Sequence, residues 1–149
     1  MRSWAIFAAG LLFGLCLAIG FSGRAQDALI ISGLAYHLDQ DHHCNSVTEG
    51  LGWERSQSEN WRSQIGFYRN SNCRWSAYVA EAWMPLHWGK VSTGILGGII
   101  TGYRASITPA AGLVTIYELT KRWSLRLITI PPSGESGKGV MWLQAGLSW

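Results

Sequence analysis

From Val140 to Trp149 the chain alternates without a break. Met141, Leu143, Ala145, Leu147 and Trp149 fall on one side, and Val140, Trp142, Gln144, Gly146 and Ser148 on the other. A period of two puts successive side chains on opposite faces of an extended strand, here one apolar face and one mostly small or polar. After residue 25 no stretch stays apolar for the ~20 residues of a spanning helix. The longest candidate, 91–103, is interrupted by Gly94, Gly97, Gly98 and Gly102. Yet the chain is 48% hydrophobic and only 14% charged, with 18 Gly and 9 Trp, which is poor in charge for a water-soluble domain. Backbone groups in lipid must be paired either within a helix or around a closed sheet. The expected fold is therefore all-β: an eight-stranded antiparallel up-and-down transmembrane β-barrel.

Alternation with turn residues between segments gives eight strands near 28–37, 47–55, 61–69, 74–84, 90–103, 111–119, 123–131 and 139–149. In the third, Trp61, Ile65 and Phe67 should face lipid while Arg62, Gln64, Gly66 and Tyr68 face inward. In the fifth, Gly94, Gly98 and Gly102 supply the small inward residues that a narrow barrel requires. Glu54, Glu118 and Arg126 are expected to fill the lumen as ion pairs. With even strand number and both termini periplasmic, Trp53, Trp61, Trp83, Trp88, Trp123 and Trp149 fall at one interface. Tyr36, Tyr68, Trp75 and Tyr103 fall at the other, the two-girdle arrangement of membrane barrels. Short connections at 56–60, 85–89 and 120–122 should be periplasmic turns, and those at 38–46, 70–73, 104–110 and 132–138 should face outward. The terminal aromatic with apolar residues at alternate positions before it resembles the C-terminal signal of bacterial outer-membrane barrels.

The other end of the sequence fits the same destination. Arg2 precedes an apolar stretch from Trp4 to Phe21 that ends at Ser22-Gly23-Arg24-Ala25, the layout of a secretory signal peptide. Residues 1–25 are read as that signal, cleaved after Ala25, and 26–149 as one barrel domain. An uncleaved anchor helix is the rival. Cys16 lacks the flanking residues of a lipoprotein box and leaves with the signal. Losing Arg2 and Arg24 leaves ten basic residues against nine acidic, so the net charge falls from +3 to +1. The basic residues are scattered, which argues against nucleic acid as a partner.

Polar chemistry should gather in the outward loops. The first reads Tyr36-His37-Leu38-Asp39-Gln40-Asp41-His42-His43-Cys44. Metal binding by His42 and His43 is one reading, since His and Asp ligate zinc; solvated loop histidines are the preferred one, because the spacing matches no standard zinc pattern, and no metal or organic cofactor is assigned. His37 closes its strand at the lumen mouth, where a general base belongs. The second reads Tyr68-Arg69-Asn70-Ser71-Asn72-Cys73. Ser71 is a hydroxyl nucleophile or hydrogen-bond donor if His37 approaches it, or otherwise ordinary turn chemistry. Cys44 and Cys73, the only cysteines after residue 25, form a disulfide in an oxidising compartment, or remain two separate thiols.

Several features in order resemble the lipid A palmitoyltransferases of the PagP type. They are Gly50-Leu51-Gly52-Trp53; Gly66-Phe67-Tyr68-Arg69-Asn70-Ser71; Trp83-Met84-Pro85-Leu86; Gly97-Gly98-Ile99-Ile100-Thr101-Gly102; Pro109 with its apolar strand; Ile130-Pro131-Pro132; and the terminal strand. The resemblance implies an outer-membrane acyltransferase, acting as a monomer, that moves a fatty acyl chain from a phospholipid to lipid A. By position it implies a catalytic set of His37, Asn70 and Ser71, with Asn70 standing where the family has an acid and His37 lying later in its strand than the family's histidine. The alternative is a non-enzymatic small outer-membrane barrel with a structural or surface-binding role. A pore is excluded by the width of an eight-stranded lumen.

Overall fold

A computed structural model describes residues 26–38, 46–103, 107–132 and 139–149. Eight strands succeed one another: β1 (Gln26–His37), β2 (Val47–Ser56), β3 (Trp61–Arg69), β4 (Trp75–Trp88), β5 (Val91–Thr101), β6 (Ile107–Glu118), β7 (Trp123–Ile130) and β8 (Val140–Ser148). Each pairs antiparallel with the next, and β1 pairs with β8, so the sheet closes and no edge remains. The expected barrel and all eight strands are present.

The outer surface is apolar all round. Leu51, Ile65, Phe67, Ile95, Leu113 and Leu143 are exposed outward, an arrangement that water would penalise and lipid would not. Trp53, Trp61, Trp83, Trp88, Trp123 and Trp149 are exposed near the end that carries the termini, as one girdle requires. The opposite girdle is corrected in part. Tyr36 and Trp75 are exposed outward, but Tyr68 is buried in the lumen with its hydroxyl 3.1 Å from that of Tyr103. Inward parity in β3 puts Tyr68 inside, and Tyr103, just past β5, joins it there.

Most strand bounds shift by a residue or two, β1 beginning at Gln26 rather than 28; three shifts have a local cause. β4 continues past Pro85 to Trp88, because the ladder shifts register between Trp83 and Leu86 and a proline at a bulge forfeits no ladder bond. β6 begins at Ile107 rather than 111 and takes in Pro109 opposite Ile99. β5 ends at Thr101, and Gly102 turns away at φ 85°.

Inside lie two layers. Towards the terminal end Glu54 is clamped by Arg126, one of whose guanidinium nitrogens lies 2.8 Å from it, by Arg62 at 3.1 Å and by Gln64 at 2.6 Å. Glu118 is not part of this cluster. It is exposed at the end of β6, past the last inward position Ile116. On the loop side of this cluster, Tyr68, Tyr78 and Trp142 pack with ring centroids 4.6 to 6.0 Å apart, beside Leu96, Ile100 and Ile128.

Candidate functional site

The loop-end mouth of the lumen is built where β1, β3, β5 and β8 finish or begin. In β1 the inward residues are Ala28, Ile30 and Ser32, and then Ala35. The switch from even to odd comes from a bulge between Ser32 and Ala35, where register shifts against both neighbouring strands. Bulges re-aim side chains, and this one brings His37 to the lumen side and sends Tyr36 out. The bulge is anchored by side chains. Trp142 Nε1 donates to Thr48 Oγ1 at 2.8 Å, and Thr48 Oγ1 donates to the Gly33 carbonyl at 2.8 Å. His37 is half-buried opposite Val140, with both ring nitrogens shielded from solvent.

Asn70 is fully buried after the last residue of β3 and uses its whole hydrogen-bonding capacity. Its amide nitrogen donates to Ser76 Oγ at 2.9 Å and to the Gly102 carbonyl at 3.1 Å. Its Oδ1 accepts from the backbone N–H of Asn72 and of Arg74, each at 3.0 Å. The side chain therefore closes the β3–β4 turn, in which Cys73 adopts φ 58°, and ties that turn to the end of β5. Gly102 answers this need. A Cβ there would lie 2.5 Å from Ser76 Oγ, and its backbone is left-handed.

Ser71 is buried in the same turn, beside Tyr103. Burial pushes the Tyr103 pKa up, opposed by the neighbouring Tyr68 and Ser71 hydroxyls. The outcome is a row of neutral hydroxyls, Ser71, Tyr103 and Tyr68, that can donate to a phosphate or carbonyl oxygen. Of the residues expected to act together, Asn70 and Ser71 meet in one turn, while His37 stands on the same rim on β1, with β2 between it and β3. His42, His43 and Cys44 lie outside the described residues, as do Asp39 and Asp41. Among the described residues no group of three metal-ligating side chains forms.

Below the rim the inner space is small. A cavity of about 20 Å³ is bounded by Gln64, Tyr78, Leu96, Ile100, Ile128 and Trp142 among others, enough for roughly one water. The wall beside it is interrupted. β6 pairs with β7 only from Leu113 to Glu118, so among the described residues Ile107–Gly112 pair on the β5 side alone, opposite the point where β7 gives way to Pro131 and Pro132.

One network escaped the sequence. At the terminal end His87 Nδ1 lies 3.0 Å from Ser92 Oγ, and His87 Nε2 lies 2.8 Å from Asn60 Oδ1. If Nε2 carries the proton, it donates to Asn60 and Nδ1 accepts from Ser92. His87 and Ser92 face each other across the two-residue Gly89–Lys90 turn, which pairs Trp88 with Val91 and His87 with Ser92; reading 85–89 as a connection left His87 outside any strand. The network braces the β2–β3 turn against the β4–β5 hairpin.

No family model and no curated relative matches the chain. Among solved structures it is similar to one described as "De novo design of transmembrane beta-barrels", with TM-score 0.64 at 11% identity, covering 88% of this chain and 100% of that one. At that identity the likeness concerns the fold alone.

Proposed function

We propose that this chain is a sealed outer-membrane barrel whose role is carried on its surfaces rather than through its lumen, the structural or surface-binding alternative. The observation that carries this reading is the filled interior. The Glu54–Arg126–Arg62–Gln64 cluster occupies the terminal half, and Tyr68, Tyr78 and Trp142 the other. A cavity of about 20 Å³ holds no acyl chain. Asn70 has the same character, since every hydrogen bond it makes is structural. The reading carries with it cleavage of residues 1–25, an outer-membrane location, a monomer, and a Cys44–Cys73 bridge worth about 2–4 kcal/mol.

A second reading, acyl transfer from a phospholipid to lipid A, is favoured by one feature. The interruption between β6 and β7 lies beside the apolar inner cavity, so a small outward shift of Trp142 or Ile130 would join cavity and lipid. Ser71 and His37 would then act at the rim, as nucleophile or donor and as base.

Mass spectrometry of lipid A separates the two. The chain is expressed in a bacterium lacking its own palmitoyltransferase, and folding is verified by gel mobility without heating. No added acyl chain is the expected result. A gain of one acyl chain, lost in Ser71→Ala, would overturn the sealed-barrel reading in favour of the enzyme.

A further inference from the structure

On the lipid-facing side a groove of about 630 Å³ crosses β4 to β7. The ladder sets its line, since Ser63 pairs with Glu81, Glu81 with Gly97, and Gly97 with Ala111. Small residues at Gly97 and Ala111 form the floor. Trp61, Trp83, Ile95 and Leu113 rise along one side, and Pro131 closes the far end. Three inter-strand steps from β4 to β7 make it roughly 14 Å long.

At its near end is a carboxylate. Glu81 Oε2 accepts from Trp61 Nε1 at 2.7 Å and from Ser63 Oγ at 2.8 Å, and Gln57 Nε2 holds Ser63 Oγ at 2.6 Å. These bonds fix one oxygen, whereas the other, Oε1, is buried and has no hydrogen-bond partner. Among the described residues the ion pairs are Arg55–Asp27, Arg62–Glu54 and Arg126–Glu54, so none of the described cations neutralises Glu81. A lipid-facing anion without a counter-charge is costly, and a cationic hydrogen-bond donor would offset that cost.

Gly97 is the second observation. A Cβ at Gly50, Gly52, Gly66, Gly94, Gly98 or Gly112 would come within 3.0 Å of a neighbouring atom, so close approach explains each. A Cβ at Gly97 would meet nothing within 4 Å, and its φ is not left-handed. Nothing inside the chain requires a glycine there; what its absent side chain leaves is open groove.

We infer that this groove seats one phospholipid with a primary-amine headgroup, the ammonium pairing with the Glu81 carboxylate at the near end and an acyl chain lying over Gly97 and Ala111 towards Pro131. The tryptophan girdle at Trp61 and Trp83 sets the carboxylate near headgroup level, where such an amine is found. The inference rests on the chain being a lipid-embedded barrel, and the experiment tests the two separately.

The full chain is folded into nanodiscs containing equal phosphatidylethanolamine, phosphatidylglycerol and phosphatidylcholine, then released for native mass spectrometry. Phosphatidylethanolamine should be retained about ten-fold over the other two, as one charge-assisted hydrogen bond allows. Glu81→Gln, whose carbonyl still accepts from Trp61 and Ser63, should lose the preference. Gly97→Leu, whose Cβ meets no neighbouring atom and whose side chain would occupy the groove, should lose the retained lipid whatever its headgroup. Equal retention of the three lipids, or a preference that survives Glu81→Gln, would overturn the inference. Failure of the wild type to enter the bilayer, seen by unheated gel mobility, would instead overturn the barrel reading beneath it.

Discussion

Asn70 shows how one side chain can matter for structure where a family resemblance points to chemistry. An aspartate has no N–H to give, so at this position it would leave Ser76 Oγ and the Gly102 carbonyl without their donor and set an anionic oxygen near that carbonyl. Asn70→Asp should cost about 1–3 kcal/mol at neutral pH, read as a lower urea midpoint in detergent micelles. If the variant matches the wild type, the amide does not clasp the turn to β5. The identity of the residue was legible in the sequence, and so was its loop position. Its role was not, because the partners Ser76 and Gly102 lie 6 and 32 residues away and are brought together only by the registers of the β3–β4 and β4–β5 pairings. The same limit explains Tyr68 and Tyr103. Inward parity was readable for Tyr68, but that the two hydroxyls would meet inside the lumen depends on the height at which β3 and β5 end.

At the level of strands, the sequence announces most of what the fold uses. Alternation in β3 and β8 gives the correct inward faces, Arg62 to Tyr68 and Trp142 to Gly146. It fails where the period itself breaks. The bulge in β1 and that in β4 each insert a residue, so a strict two-residue count assigns the wrong face to every residue beyond them. A proline such as Pro85 or Pro109 likewise reads as a stop although the sheet absorbs it. The interruption at β6 has a dynamic consequence. Backbone amides paired on one side only open at lower cost than those held in a full ladder. In detergent micelles, hydrogen exchange monitored by mass spectrometry should therefore be faster in Ile107–Gly112 than in Leu113–Glu118. Equal protection in the two halves would mean that other residues of the chain complete the ladder there.

For the whole barrel the decisive asymmetry is in the lumen. Glu54 and Arg126 are both almost wholly buried, at 1% and 2% side-chain exposure, whereas Arg62 keeps 18% and can turn towards the mouth. Removing Glu54 strands the Arg126 guanidinium in the interior, and breaking a buried pair from one side costs about 3–5 kcal/mol. Removing Arg126 is milder, because Arg62 and Gln64 continue to hold the carboxylate. Replacing both partners by leucine removes the desolvated charges together, and Arg62 is then free to find water. Urea unfolding of the folded barrel should thus rank Glu54→Leu as least stable and Arg126→Leu above it, with the double variant above either and near the wild type. If the double variant is instead the weakest of the three, the ion pair contributes more than its desolvation costs. Charge pairing, rather than filled volume, would then be what holds this lumen closed.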